Sequence, residues 1–331
     1  MTNTTHAVDD STVPAVPAQP SPIEQPRRPI RIRLPLLLFA VSILTTLAIG
    51  ARFMENFRLG LPTLTEDSDL WPWPWLFHHP DKFLSGWPFS VALLAILLSH
   101  EFGHYIACRV HGIPTTLPLL LPAPTLSGTA GAVILIRGRI PNRHALMDVG
   151  IWGPIAGYLA SIPAIFIGFW LSRPFGVDAP QPLVQFGQPA TFHLAHRLLS
   201  VFHPLIPQFS SGVFHPVLIA GWVGLFITAL NLIPAGQLDG GHVLYAILPR
   251  AHRPATYCLA GLLILCGFFY WIGWGFWGLM MLLPAMRHPR VPMDRPLGLG
   301  RSLLGVTALL LLVLTFTAEP FLGSSLLHYF K

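Results

Sequence analysis

Apolar residues fall in long runs along this chain, several of them near the roughly 20 residues that cross a bilayer as a helix. The runs lie at about 34–53, 88–108, 147–170, 213–234, 256–272, 273–285 and 302–319. The fifth and sixth belong to one apolar stretch, broken only by the glycines of Trp271-Ile272-Gly273-Trp274-Gly275. That stretch is either one tilted helix or a tight helical hairpin. The pattern predicts a membrane all-α fold, a polytopic bundle of about six or seven transmembrane helices spread over residues 33–331. Residues 1–32 carry Ser, Thr, Pro and Asp without periodic apolar positions and predict a disordered N-terminal tail.

Two segments break the helical pattern. Residues 111–145 are rich in Pro and Gly, then run through the β-branched and apolar stretch Thr129–Arg139. This predicts a short membrane-associated β element directly after the second span. Non-helical backbone at a membrane is tolerated where it is buried in protein or lines a cavity. The element either offers its edge to an extended peptide, with Gly131 and Ile134 as substrate-binding positions, or simply packs beneath the helices. Residues 173–212 are rich in Pro, Gln and His; His193, His196, His203 and the nearby His215 match no metal-site spacing and read as solvated or interfacial. The Trp71-Pro72-Trp73-Pro74-Trp75 run also suits the headgroup level.

Composition strengthens the membrane reading. The chain is 53% hydrophobic and 10% charged, against about a quarter charged in soluble domains. A net charge of +6 would suit nucleic acid, but its distribution argues against that partner. Arg27, Arg28, Arg31 and Arg33 precede the first span, and most remaining arginines fall on the same side when the spans are followed. This positive-inside bias predicts a cytoplasmic N-terminus in a multi-pass protein of a bacterial inner membrane. Membrane lipid is an expected partner, and oligomeric state is not legible. The three cysteines form no disulfide pattern.

The second span carries Ser99-His100-Glu101-Phe102-Gly103-His104, an H-E-x-x-H motif within a helix. Residues four apart share a helical face, so both imidazoles reach one ion, and Glu101 stands beside the same pocket. Two histidines and a glutamate in a spanning helix are costly unless they are paired or functional. A catalytic zinc takes three protein ligands and keeps one open position. Cys108 lies about 12 Å of helix rise from His100, too far for easy sharing of one ion. Asp239, in Asn231-Leu-Ile-Pro234-Ala-Gly-Gln-Leu-Asp239-Gly240-Gly241-His242, ends the fourth span on the same side. Pro234 and the glycines, Gly240 among them, break the helix and let that carboxylate turn inward. The alternative is that Asp239 caps a helix end.

H-E-x-x-H in one span and N-x-x-P-x-x-x-x-D-G in a later one resemble the paired signatures of the site-2 protease family of intramembrane metalloproteases. Gly153-Pro154-Ile155-Ala156-Gly157, between them, is similar to that family's small-residue motif. The likeness covers residues 88–245, and a weaker one, including His288-Pro-Arg, points to a compact branch without a PDZ domain. The resemblance implies one Zn2+ per chain held by His100, His104 and Asp239, Glu101 as general base, and Asn231 near the scissile carbonyl. It implies a zinc metalloendopeptidase that cuts transmembrane protein or peptide substrates. His242 is not a ligand in the family pattern. The rival readings are a metal transporter and a catalytically silent scaffold that binds membrane segments. Almost no further intramembrane acid supports a transport path; Asp148 stands where an acidic residue suits a helix N-terminus.

Overall fold

Several of the apolar helices start at a proline, whose fixed φ suits a first turn and whose missing N–H is not needed there. A computed structural model of the chain describes residues 33–176, 180–209, 212–293 and 296–325. The segment 1–32, expected as a tail, lies outside the described residues. The chain runs through α1 (Arg33–Leu59), the short α2 (Asp67–Leu70) and α3 (Trp73–His78), then a 3-10 segment (Pro80–Gly86) leading into α4 (Trp87–Val110). A hairpin of β1 (Leu119–Pro122) and β2 (Thr129–Val133) precedes α5 (Arg143–Leu171). Beyond it lie β3 (Arg173–Pro174), α6 (Ala190–Ser200) and β4 (Gly212–Val213). The last helices are α7 (Pro216–Leu232), α8 (Asp239–Ile247), α9 (Pro249–Phe269), α10 (Ile272–Met281) and α11 (Leu299–Thr315).

Four of these helical segments are long and apolar enough to cross a bilayer: Arg33–Leu59, Pro80–Val110, Arg143–Leu171 and Pro249–Phe269. That is fewer than the apolar runs suggest. Helices α7 and α11 have 17 residues each, about 25 Å of rise against a hydrocarbon core of about 30 Å. The ambiguous stretch is a hairpin: α9 ends at Phe269 and α10 returns against it for 10 residues. Glycines set this closeness, since a side chain on Gly278 would meet the Ala260 carbonyl at 2.7 Å and one on Gly267 the Gly275 backbone at 2.7 Å.

Helices α4, α5 and α7 pack together at the centre. One core cluster joins α1, α4, α5, α6 and α7 through Phe53, Phe89, Leu93, Ile165, Phe169 and Trp222. A second joins α5, α7, α8 and α11 through Leu146, Ile151, Leu232, Val243 and Leu311.

The expected β element is present but shorter than 129–139. Strands β1 and β2 pair antiparallel with Leu119 opposite Val133, Leu120 opposite Ala132 and Pro122 opposite Thr129. The register slips between Leu120 and Pro122, which gives β2 an extra residue. Gly131 occupies that bulge at φ +106°, its N–H donating to Thr129 Oγ1 at 3.1 Å. Continuing the register sets Pro118 opposite Ile134. Proline has no N–H for the ladder, so regular pairing is interrupted there and resumes at a bridge between Thr115 and Ile136, with Thr116 N–H donating to the Leu135 carbonyl at 3.1 Å and Arg137 N–H to the Pro114 carbonyl at 2.8 Å.

At the end of α1 away from Arg33, Arg52 and Asp69 are both buried, and Arg52 Nε donates to Asp69 Oδ1 at 2.5 Å. Burial alone would raise the Asp69 pKa. The N–H groups of Thr65 and Glu66, with Asn56 and Arg52, outweigh it and hold the carboxyl below its ordinary 3.8. A carboxylate with a lowered folded pKa stabilises above the unfolded value and loses that contribution as pH falls through the folded one. Breaking a buried pair costs about 3–5 kcal/mol. Asp69→Asn is therefore expected to lower the thermal midpoint at pH 7, with the gap to wild type closing as pH drops below the unfolded carboxyl value of about 3.9. Thermal unfolding in detergent at both ends of that range checks this, and a pH-independent gap would contradict it.

Candidate metal centre

His100 lies ten residues before the end of α4 at Val110, about 15 Å of helix rise. The H-E-x-x-H residues therefore sit inside the span. His100, Glu101 and His104 are all buried, and their ligand atoms lie within 4.8 Å of one another. The Nε2 atoms of His100 and His104 stand 3.1 Å apart. His104 Nδ1 donates to the Val149 carbonyl of α5 at 2.7 Å, which fixes the tautomer and leaves Nε2 free as a ligand. His100 Nδ1 is buried without a hydrogen-bond partner among the described residues.

The third donor arrives from the turn between α7 and α8. Ile233, the residue before Pro234, is driven extended at ψ 124° and ends α7. Gly236 at φ +59° then reverses the chain. Gln237 ties the turn down, donating to the carbonyls of Ala285 and Arg287 at 2.7 and 2.8 Å. Helix α8 opens at Asp239, whose carboxylate stands in the first turn. Its Oδ2 lies 3.2 Å from both His100 Nε2 and His104 Nε2. Gly240 lets α8 start against the end of α7, since a Cβ there would overlap the Leu232 carbonyl. Asn231, on the last turn of α7, places Nδ2 3.4 Å from His100 Nε2.

These three donors form a nearly equilateral triangle. A tetrahedral zinc at about 2.0–2.1 Å from each ligand requires ligand–ligand separations of about 3.3 Å. Edges of 3.1 and 3.2 Å match that face, and imidazole and carboxylate are suitable ligand types. The residues fit zinc.

Helix α5 forms the floor beneath this triangle. A Cβ on Gly153 would overlap the His104 ring at Nε2, and one on Gly157 would stand 2.8 Å from His100 Nδ1. One on Gly150 would meet His242 Cβ at 2.8 Å and the Asp239 carbonyl at 3.0 Å. Each donor residue thus rests against a position where α5 has no side chain.

Other residues singled out in the sequence fall elsewhere. Cys108 packs with Ile113, Ala145 and Val149. Gly131 serves the bulge, whereas the Ile134 N–H faces the Glu101 carboxylate. Asp148 is not simply a helix-start acid: it sits in the second turn of α5 and pairs with Arg301 at 2.6 and 3.0 Å and with His111 at 2.8 Å. His242 lies one turn beyond Asp239 and meets His288 with ring nitrogens 2.8 Å apart. Sequence gave no sign of that partner or of Arg301, each far away along the chain.

A buried His–His–carboxylate triangle with Glu101 beside it, set among membrane-length helices, has the donor types and spacing of a zinc site in a membrane protein. The model of Peptidase family M50 matches residues 88–272, more than half of the chain, and the chain belongs to that family, which includes the site-2 proteases. It is 32% identical over 244 residues to "Probable zinc metalloprotease EGY1, chloroplastic" of Arabidopsis thaliana, covering 69% of this chain and 42% of that protein. The rice protein of the same name is 32% identical over 221 residues, covering 63% and 36%. "Probable zinc metalloprotease EGY2, chloroplastic" of Arabidopsis thaliana is 26% identical over 294 residues, covering 86% and 49%. The chain spans less than half the length of each of these relatives. The plastid location in these names lends no support to the expected bacterial inner membrane; the long apolar helices support membrane residence itself.

The glycine floor makes a direct prediction. Gly153→Ala is expected to lower zinc bound per purified chain severely, because its methyl group occupies the position of the ligating His104 ring. Gly261→Ala, where a Cβ meets nothing within 4 Å, is expected to retain full zinc. Equal metal content in the two variants, measured by elemental analysis, would contradict the packing argument.

Proposed function

We propose that this chain is a zinc metalloprotease that hydrolyses peptide bonds within or near transmembrane segments of membrane proteins, the chemistry of regulated intramembrane proteolysis. The observation that carries the reading is the donor triangle from α4 and the α7–α8 turn, buried about 15 Å inside a spanning helix with Glu101 beside it. His100, His104 and Asp239 hold the metal. Zinc bound there supplies a Lewis acid and lets water act as a nucleophile near neutral pH.

The chain's own groups do the rest. Glu101 takes the proton of the attacking water and returns it to the leaving amine. The Ile134 N–H steadies that carboxylate in its working orientation. Asn231 turns its amide toward the same centre and donates a hydrogen bond to the oxygen of the scissile carbonyl. A peptide bond in a helix has its carbonyl occupied by the i→i−4 bond, so the substrate must unwind locally. The free edge of β2, which ends beside Glu101, holds the unwound segment extended.

The arginine distribution puts the N-terminus and the α4–α5 loop on the cytoplasmic side, with the metal centre nearer that face. Helices α7 and α11 also cross, and α10 with the turn after it returns the chain to the side where Gln237 meets Ala285 and Arg287 and where α11 starts. Substrates are single-span proteins recognised through their membrane segments.

Glu101→Gln is expected to keep its zinc and lose cleavage of a reconstituted single-span substrate by about 10²–10⁴-fold. Asn231→Ala should cost about 10²–10³-fold. Wild-type cleavage by the Glu101 variant would sink the assignment, and metal flux into vesicles that survives the substitution would favour transport instead.

A further inference from the structure

Helix α6 carries three different faces. Phe192 and Ala195 point into the core, where the Phe192 and His196 rings pack on Phe169 near the end of α5 at centroid distances of 5.4 and 6.0 Å. Leu194, Leu198, Val201, Phe202 and Leu205 follow one another at helical spacing along α6 and the turn after it, and all are exposed, from 49% at Leu194 to 80% at Phe202. An exposed apolar stripe of this length requires a partner. The third face is basic and polar. His193, His196 and Arg197 line a cavity of about 280 Å3 with Gln188 and Gln208, floored by Phe169, Phe192 and Phe209, and no carboxylate lines it. His196 Nε2 is buried there without a hydrogen-bond partner among the described residues.

We propose that α6 and the following turn lie in the membrane interface at the face opposite the α4–α5 loop, with the cavity holding the phosphate of an anionic phospholipid. A helix with an apolar stripe beside a basic polar face lies in the plane of the interface, its apolar side among the acyl chains. Arg197 extends its stem over that boundary and keeps its guanidinium at headgroup level. Five hydrogen-bonding side chains around one cavity, three of them basic, suit a phosphate. A second copy of the chain is the poorer occupant: a two-fold contact through this stripe would set Arg197 and His193 of both copies against one another. The site is remote from the metal centre and independent of proteolysis, and it gives the histidines of the 173–212 segment an interfacial role.

Native mass spectrometry of the full chain in neutral detergent, titrated with phosphatidylglycerol or phosphatidylcholine, tests the proposal. Wild type is expected to retain phosphatidylglycerol at least fivefold more tightly, with Arg197→Gln and the double variant His193→Gln/Arg197→Gln losing most of that preference. Arg137→Gln, outside this cavity, should keep it. Equal retention of the two lipids, or a preference untouched by the cavity substitutions, would overturn the proposal. Inorganic phosphate that binds the cavity as strongly as the lipid does would assign it to a soluble anion. A persistent two-chain species that excludes lipid would assign the stripe to a second copy.

Discussion

Three candidate ligand atoms, two from α4 and one from the α7–α8 turn, converge to about 3 Å inside a closely packed bundle. The absence of side chains from one strip of α5 makes that possible. Gly150, Gly153 and Gly157 lie under Asp239, His104 and His100 in turn. Interiors are packed to crystal density, so any side chain on this strip would displace a ligand. The same strip lets α4, α5 and α7 approach closely, as small residues do in membrane bundles. Metal geometry and helix packing therefore have one cause.

Polar groups within a membrane are expensive, and most of those near the centre are engaged. His104 is oriented by the Val149 carbonyl. The adjoining Asp148 is clamped by Arg301 from α11 and His111 from the end of α4. That clamp fixes α5 where it orients His104, so the distant end of the chain helps to set the metal geometry. Arg143 similarly donates to the carbonyls of Ala246 and Ile247 at the end of α8, joining α5 to the helix that begins with Asp239. The Pro118 break in the hairpin leaves the Ile134 N–H turned toward Glu101 rather than into the ladder.

Much of this was legible in the sequence, for identifiable reasons. The H-E-x-x-H spacing is a local property of a helix, so the His100–His104 geometry follows from periodicity. Pro234 and the glycines around Asp239 announce a turn, and the structure forms it through Ile233 and Gly236. The count of crossings was less legible, because an apolar run records burial and not length. Helix α7 is buried along most of its 17 residues, and α10 covers α9 without being long enough to span. The regular strand after α4 is shorter than its β-branched run because Pro118 on the opposing chain interrupts the ladder beyond Val133. The partners His242–His288 and Asp148–Arg301 join residues that only the folded chain brings together. The glycines of α5 were visible as a motif, but their positions beneath individual ligands were not.

X-ray absorption at the zinc edge of the purified chain tests the donor triangle most directly. The expected first shell is nitrogen and oxygen at about 2.0–2.1 Å with imidazole back-scattering from two histidines, and the imidazole signal is expected to weaken in His104→Ala. A sulfur ligand at about 2.3 Å would place Cys108 or another cysteine at the metal and contradict it.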